Sequence, residues 1–363
     1  MFDVTLTPDT PRSAAIRRTA PGLVRLVLLT AVLLVPGQSQ ADDKAGRIDL
    51  SRARLSDTTL YVPFRVLSTM PLAAALAEGK LEDGPATGLL VREHPEGRIA
   101  LVTQQMAYHQ LASGELDGEP WLATFYAVSN SGVGMTPVIA GKRLTFEVGG
   151  LYDGIPLLKD VEYGSYWSHI TGECLHGPLV GTRLETCNLL PMTAAQALEL
   201  YPELQVAISD VAPRPKIFTP YQESPEMPQV FEGFMRGAMG AEDTRRPTLD
   251  LGLGIWTSDT QRYYPVEAIA ANGGLIDRLN GRNVLIYIDP TSNMPAAIFT
   301  EANSLNWKGN EIYLDNGRML RKGVLYASNG DRIRVERPLQ IFTRWYGFAS
   351  TFPGCSLYDQ ANR

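Results

Sequence analysis

The chain has 363 residues, of which 44% are hydrophobic and 20% charged, as expected for a globular protein of about two domains. The formal net charge is −6 and no run of lysine and arginine occurs, which argues against a nucleic-acid-binding protein. Glycine (33 residues) and proline (25 residues) are spread along the chain, which favours short strands joined by turns over a disordered polymer.

The N-terminus has the order of a secretory signal peptide. Arginines precede an apolar run over residues 26–35, and the small residues of Ser39-Gln40-Ala41 follow it. An apolar run of about ten residues is too short to cross a hydrocarbon core of roughly 30 Å. We therefore expect cleavage after Ala41 and a mature protein that is periplasmic or secreted and has no transmembrane segment.

The remaining sequence contains an internal repeat. Residues 88–125 overlay on residues 251–288 without gaps, so that apolar positions and a turn glycine coincide while most polar positions differ. Residues 192–202 also overlay on residues 343–353, and both segments read as a short helix that ends at proline. Matching cores and turns with diverged surfaces indicate two copies of one unit.

The copies divide the chain into an expected series of segments. The link between them is rich in proline and charge, which is typical of a domain boundary. The predicted segments are a signal peptide (1–41), an N-terminal extension (42–86), a first repeat (87–212), a linker (213–247) and a second repeat (248–363).

The first copy predicts more strands than helices. Its expected elements are a hairpin over 88–102, a helix over 104–112, strands at 121–128, 143–148, 157–159 and 165–169, and a closing helix over 193–200. Short connections between the strands suit antiparallel pairing. The predicted fold class is therefore α+β, with mostly antiparallel sheet, short helices and two tandem diverged copies of one unit.

Three cysteines occur, and two of them are close in sequence. In an oxidising compartment, a disulfide between Cys174 and Cys187 would close a short loop and stabilise the fold by about 3 kcal/mol. Cys355 would then be left over. A zinc or copper site that includes His169 and His176 is the alternative, but the spacing matches no standard motif, so we prefer the disulfide.

Several motifs of the first copy resemble one family. The chain has Leu144-Thr-Phe-Glu-Val-Gly-Gly-Leu151, then Ser165-Tyr-Trp-Ser-His-Ile-Thr-Gly-Glu173, then Gly177-Pro-Leu-Val-Gly-Thr-Arg-Leu184. These stretches resemble L-T-F-x-V-S-G-L, S-x-W-S-Q-I-T-G-E and G-P-L-A-G-T-R-L of the bacterial and archaeal family known as domain of unknown function 3179. The resemblance covers nearly all of residues 87–360. It implies the fold, and it brings no established activity.

The chain departs from the family pattern at one strand end. Where the family has Y-C-P-L-C/T-G, this sequence has Phe125-Tyr-Ala-Val-Ser-Asn130. Tyr126 stands in place of the family cysteine, so the resemblance implies that thiol chemistry and thiolate metal binding are lost at this position. The glutamine of W-S-Q is replaced by His169.

The residues at these motif positions predict a small ligand-binding pocket in the first copy. Its expected members are His109, Tyr126, Ser129, Asn130, Trp167, His169 and Arg183. A histidine at the end of a predicted helix can bind a ligand or act as a general base. His109 has this position in the first copy only, because the second copy has Asn272 there.

Each candidate also has a structural interpretation. His109 could hydrogen-bond the turn that follows it, and Trp167 could belong to the core. Arg183 could pair with Glu173 instead of holding an anion. The serine and asparagine after the strand are typical turn residues, and no G-x-S-x-G motif of a serine hydrolase occurs.

The leading hypothesis is a periplasmic binding or accessory protein that takes a small molecule or a metal ion. The rival is a hydrolytic or metal-assisted enzyme that uses His109 and His169, which requires His109 within hydrogen-bond reach of a nucleophile or a metal. A third interpretation is that an ancestral activity is lost together with the family cysteine. No cofactor is indicated, because neither a phosphate-binding glycine loop nor a dinucleotide fingerprint occurs.

Overall fold

Short strands, several of them buried along most of their length, are the main elements of the described chain. The computed structural model describes residues 48–56, 61–82, 88–95, 97–211 and 236–358, which belong to one compact unit. The predicted signal peptide and most of the predicted linker lie outside the described residues. No helix among the described residues is long and apolar enough to cross a membrane.

The first half of the chain consists of strands β1 to β16 and helices α1 to α3. The strands are β1 (Ala53–Leu55), β2 (Phe64–Arg65), β3 (Met70–Pro71), β4 (Gly88–His94), β5 (Gly97–Val102), β6 (Leu111–Leu116), β7 (Glu119–Tyr126), β8 (Ser131–Thr136), β9 (Val138–Ile139), β10 (Lys142–Arg143), β11 (Phe146–Tyr152), β12 (Ile155–Asp160), β13 (Tyr166–Ser168), β14 (Cys174–His176), β15 (Glu185–Thr193) and β16 (Gln205–Ala207). The helices are α1 (Leu72–Ala77), α2 (Thr103–His109) and α3 (Ala194–Leu200).

The second half begins with a 3₁₀ turn (Arg236–Ala238) and continues through strands β17 to β28. The strands are β17 (Leu251–Trp256), β18 (Gln261–Pro265), β19 (Leu275–Leu279), β20 (Arg282–Asp289), β21 (Met294–Thr300), β22 (Leu305–Lys308), β23 (Glu311–Leu314), β24 (Met319–Arg321), β25 (Val324–Tyr326), β26 (Arg332–Ile333), β27 (Leu339–Arg344) and β28 (Ser356–Leu357). The helices are α4 (Val266–Ala271) and α5 (Trp345–Thr351).

The strands pair almost entirely antiparallel. The first half forms a nine-stranded sheet in the order β2-β6-β7-β8-β15-β4-β5-β16-β3 and a five-stranded sheet in the order β1-β11-β12-β13-β14. The second half forms sheets β27-β17-β18-β28, β19-β20-β21 and β22 to β26. Only the pairs β2–β6, β5–β16 and β18–β28 are parallel among the described strand pairs. The predicted α+β class with mostly antiparallel sheet is confirmed.

The two halves share one pairing order. Strand β4 lies between β15 and β5, and β16 pairs parallel to β5. In the second half β17 lies between β27 and β18, and β28 pairs parallel to β18. This agreement supports the internal repeat, which stays a prediction.

Strand β7 separates two parts of the core. Phe125 faces one side and packs in the same cluster as Met106 of α2. Tyr126 faces the other side and packs in the cluster that contains Trp167 and, from the second half, Trp345. Successive residues of a strand point to opposite faces, so neighbours on β7 belong to different cores.

The predicted disulfide is not formed in the structure. Cys174 and Cys187 are buried free thiols, as is Cys355. Cys174 lies on β14 opposite Trp167, whereas Cys187 lies on β15 opposite Gly134, so the two thiols belong to different sheets. Burial raises the pKa of the Cys174 and Cys187 thiols to about 11, which keeps both in the protonated, less reactive form.

Candidate functional site

The residues that replace the family cysteine motif form the turn between β7 and β8. The Asn130 N–H donates to the Ala127 carbonyl at 3.2 Å, which closes the turn. Asn130 has φ 53°, a left-handed conformation that asparagine tolerates better than most side chains. This turn sets the directions of Ser129 and Ser131, which are both fully buried.

The same turn is bound to the second half of the chain. The carbonyl oxygen of Ser129 accepts hydrogen bonds from Thr343 Oγ1 at 2.7 Å and from the Arg344 N–H at 2.8 Å. Asn130 Nδ2 donates to the Phe342 carbonyl at 3.1 Å. The turn is therefore a joint between the halves, and we call residues 127–131 together with 342–347 the junction.

Buried side chains continue the polar contacts of the junction. Ser129 Oγ and Ser131 Oγ share a hydrogen bond of 2.5 Å, and Ser131 Oγ lies 3.4 Å from His169 Nε2. Tyr346 of the other half lies beside Ser129. These contacts form a row of tyrosine, two serines and histidine that crosses the junction.

Burial keeps the groups of this row uncharged. It lowers the pKa of His169 to about 3, so the imidazole is neutral at physiological pH. Burial also raises the pKa of Tyr346 and of Tyr126, so both phenols stay protonated. A neutral imidazole beside a serine is the pairing that activates a nucleophile. However, Ser131 has 0% exposure and His169 has 1%, so an external substrate does not reach this pair in the structure.

His109 lies on the opposite side of β7 from His169. Its ring stacks on Phe64 with ring centroids 5.3 Å apart, on the face where α2 packs. Its Nδ1 lies 2.7 Å from the Val62 carbonyl and its Nε2 lies 2.8 Å from Ser209 Oγ. Both ring nitrogens are therefore engaged. The structure does not bring His109 and His169 into one pocket, and His109 has the contacts of a structural histidine.

The other two candidates also make structural contacts. Trp167 is fully buried and its Nε1 donates to Asp160 Oδ2 at 2.8 Å, with its ring edge-on to Phe146. Arg183 Nη2 pairs with Glu173 Oε2 at 3.3 Å on the surface. Within the described residues, no group of three or more histidine, cysteine, aspartate or glutamate side chains could hold a metal ion.

The structure thus assembles Tyr126, Ser129, Asn130 and His169 near one another, and it adds residues that sequence reasoning missed. Ser131 was missed although it lies two positions after Ser129, because a second serine in a turn is unremarkable. Thr343 and Tyr346 carried no signal, since Thr343 is separated from Ser129 by 214 positions. Only the overlay of residues 192–202 on 343–353 marked that segment as structured.

Open concave surfaces lie away from the junction turn. One, of about 350 Å³, lies between the β11–β12 hairpin and the end of α5 and includes Tyr152, Ser168 and Ser350. A larger groove of about 570 Å³ lies wholly within the second half. Both volumes fall in the range of roughly 300–1,000 Å³ that small-molecule sites occupy.

Comparison with known proteins gives one match. Residues 88–340 match the model of a family described as "Protein of unknown function (DUF3179)". The match includes the junction turn, four strands of the five-stranded sheet (all but β1) and most of the second half. No curated protein and no solved structure matches the chain.

Proposed function

We propose that this chain, which belongs to the DUF3179 family of proteins of unknown function, is an exported binding or accessory protein. The observation that carries the proposal is that the turn with the candidate reactive residues is hydrogen-bonded to the second half of the chain. Its carbonyl and amide groups bind Phe342, Thr343 and Arg344 of the second half, and its hydroxyls are fully buried. A turn used in this way holds the fold together and leaves binding to the open concave surfaces.

The replacement of the family cysteine favours the same role. Tyr126 is almost fully buried and its raised pKa keeps the phenol neutral, so it supplies neither a nucleophile nor a metal-binding thiolate. Any thiol chemistry or thiolate metal binding that a cysteine at this position would allow is absent from this chain. Loss of an ancestral reaction with retention of the scaffold is therefore part of the proposal.

Export is proposed from the N-terminal sequence. A basic region, an apolar run and a small-x-small site precede Asp42, and a secretory signal has this order. Expression of the full chain in a Gram-negative host, followed by intact-mass measurement of the periplasmic fraction, tests it. A mass that begins at Asp42 is expected. An uncleaved chain that stays with the cytoplasm contradicts export.

The binding role is tested by native mass spectrometry of the protein purified from the periplasm without chelator. The expected result is an adduct that survives gentle ionisation and is lost when the same sample is denatured. Identification of the released mass gives the ligand. A bare protein under both conditions, from several growth media, contradicts a stable binding role.

The rival serine-enzyme hypothesis has its own test, because a buried serine next to a neutral histidine is present. A fluorophosphonate probe labels activated serines, and we expect no labelling of this protein at neutral pH. Labelling that disappears in Ser131→Ala but persists in Ser350→Ala, an exchange of a half-buried serine on α5, would restore the enzyme hypothesis.

A further inference from the structure

The larger groove concentrates positive charge in an acidic protein. It lies between sheet β19-β20-β21 and the strands β24 to β26, where the Phe299 N–H donates to the Glu336 carbonyl at 2.8 Å. Its charged lining consists of Arg278, Arg282, Arg318, Arg334, Glu301 and Glu336. The whole chain has a net charge of −6, so a groove with four arginines differs in charge from the protein as a whole.

The two carboxylates neutralise two of these arginines. Arg282 binds Glu336 through both terminal nitrogens, at 2.7 and 2.8 Å, and Arg318 binds Glu301 at 3.1 Å. Within the described part of the chain, the guanidinium groups of Arg278 and Arg334 have no ion-pair partner. Two cations in the groove are therefore uncompensated.

The groove is also preorganised by its own contacts. The Arg282 guanidinium lies over the Phe299 ring, 3.5 Å from its centroid, which holds it flat against the wall. Asn283 Nδ2 donates to the Ala302 carbonyl at 2.9 Å and so fixes the adjacent end of β20. Rigid walls reduce the entropy that binding costs.

The two unpaired guanidinium groups indicate which class of ligand the groove can bind. A guanidinium presents a planar fork of N–H donors that fits the two oxygens of a carboxylate or a phosphate. A groove of about 570 Å³ accommodates a small molecule. We infer that this groove binds a small anionic ligand that bears carboxylate or phosphate groups, with Arg278 and Arg334 as its first contacts. This inference rests on the proposed binding function and supplies its site.

Isothermal titration calorimetry with citrate and with inorganic phosphate, at constant ionic strength, tests the inference. The wild-type protein should bind at least one probe saturably, and the heat identifies whether carboxylate or phosphate is preferred. The double variant Arg278→Gln, Arg334→Gln should weaken that binding by about tenfold or more, since the charge-assisted hydrogen bonds of both guanidinium groups to the anion are lost.

A matched control removes the same charge elsewhere. Arg65 and Arg143 are exposed in the first half, and the double variant Arg65→Gln, Arg143→Gln should leave the affinity unchanged. An equal loss in both double variants would mean general electrostatic attraction and would overturn the inference. Absence of saturable binding of both probes to the wild type would overturn it as well.

The native mass spectrum separates this inference from the proposed function. If the adduct of the wild-type protein persists in the Arg278→Gln, Arg334→Gln variant, the binding role stands and the groove is not its site. If the adduct is lost there and retained in the Arg65→Gln, Arg143→Gln control, the groove is the site.

Discussion

The two halves of the molecule share several backbone features and differ in their side chains. Three positions with positive φ recur at the same offset: Gln110 (60°) and Gly273 (60°), Asp117 (52°) and Asn280 (47°), Asn130 (53°) and Asn293 (57°). Left-handed residues mark helix ends and hairpin turns, where the chain reverses. The halves thus have left-handed residues at corresponding turns of the chain. This agreement supports a shared origin more directly than a comparison of the number of strands does.

The halves differ in how two strands are bonded to each other: β8 to β15 in the first half, and β21 to β27 in the second. In the first half β8 pairs with β15 through the main chain, from Glu185 opposite Thr136 to Cys187 opposite Gly134. In the second half, the Gln340 side chain of β27 bonds the backbone of Ala297 on β21 instead. Its Oε1 accepts from the Ala297 N–H at 2.7 Å and its Nε2 donates to the Ala297 carbonyl at 2.8 Å. A single amide side chain can therefore substitute for main-chain pairing.

The halves also differ in the side-chain sizes at a contact between a strand and a helix. Val91 of β4 and Ala197 of α3 pack in one cluster of the first half. At the corresponding positions the second half has Gly254 and Phe348, and the Phe348 ring occupies the space that a Cβ on Gly254 would need. The larger residue lies on the strand in the first half and on the helix in the second, as a volume-conserving exchange between two copies would produce.

The largest expected effect on stability comes from removing the large side chain of this strand–helix contact. Phe348→Ala should lower the free energy of unfolding by about 3–5 kcal/mol, because it empties a fully buried site. Adding Gly254→Val recreates the first-half combination and should recover part of the loss. Urea unfolding of the two single variants and the double variant measures the coupling. Strictly additive losses would show that the positions do not correspond.

Removal of the Gln340 bridge should have the next largest effect. Gln340→Ala removes the partner of the buried Ala297 N–H and leaves the Ala297 carbonyl with only the longer bond from Arg337 Nη1, at 3.3 Å, which should cost about 2 kcal/mol in unfolding free energy. Gln261→Ala is the matched control, since its side chain makes one long bond at 3.4 Å on a half-buried strand. Equal shifts in the two urea midpoints would contradict the role of the bridge.

A pH-dependent effect is expected from His169, which lies in the buried turn after β13 in the first half. Its pKa rises from about 3 in the folded state to about 6.5 when burial is lost, so the unfolded state binds more protons between these values. Stability should therefore fall as the pH drops below 6.5, by about 2 kcal/mol between pH 6.5 and 5 from this group alone. The variant His169→Gln should lack this part of the dependence in urea unfolding at pH 7, 6 and 5. An unchanged slope would show that the fold does not lower the pKa of His169.

The smallest effect compares the two equivalent turn asparagines. Asn130→Gly keeps the left-handed backbone but removes the hydrogen bond to Phe342, and it should destabilise by about 1 kcal/mol. Asn293→Gly keeps the same backbone and should change stability by less than about 0.5 kcal/mol. Thermal melting of both variants makes the comparison. A loss at Asn293 as large as at Asn130 would mean that the turn conformation, rather than the junction, sets the cost.

Much of the local structure could be predicted from the sequence. The hairpin expected over 88–102 is β4 and β5, and the closing helix expected over 193–200 is α3 (Ala194–Leu200). The helix expected over 104–112 ends earlier, at His109, because Gln110 adopts φ 60° and Leu111 begins β6. The strand expected over 143–148 is divided between β10 and β11. Hydrophobic periodicity finds elements well and their ends poorly.

The candidate site was predictable only in part. Tyr126, Ser129 and His169 were found because family motifs mark them, and the structure places them in one buried region. His109 carried the same kind of signal yet lies across β7. One step along a strand moves a side chain to the other face, and the sequence does not state which face holds the site.

By itself the sequence determined the α+β class, the family and the local hairpin and helices of the first half, because periodicity and turn residues act over a few positions. Only the tertiary structure decided that the cysteine-motif turn is buried against Thr343, that the two cysteines lie on separate sheets, and that four arginines meet in one groove. Such contacts join residues far apart in sequence, and they form only once packing has fixed which faces meet.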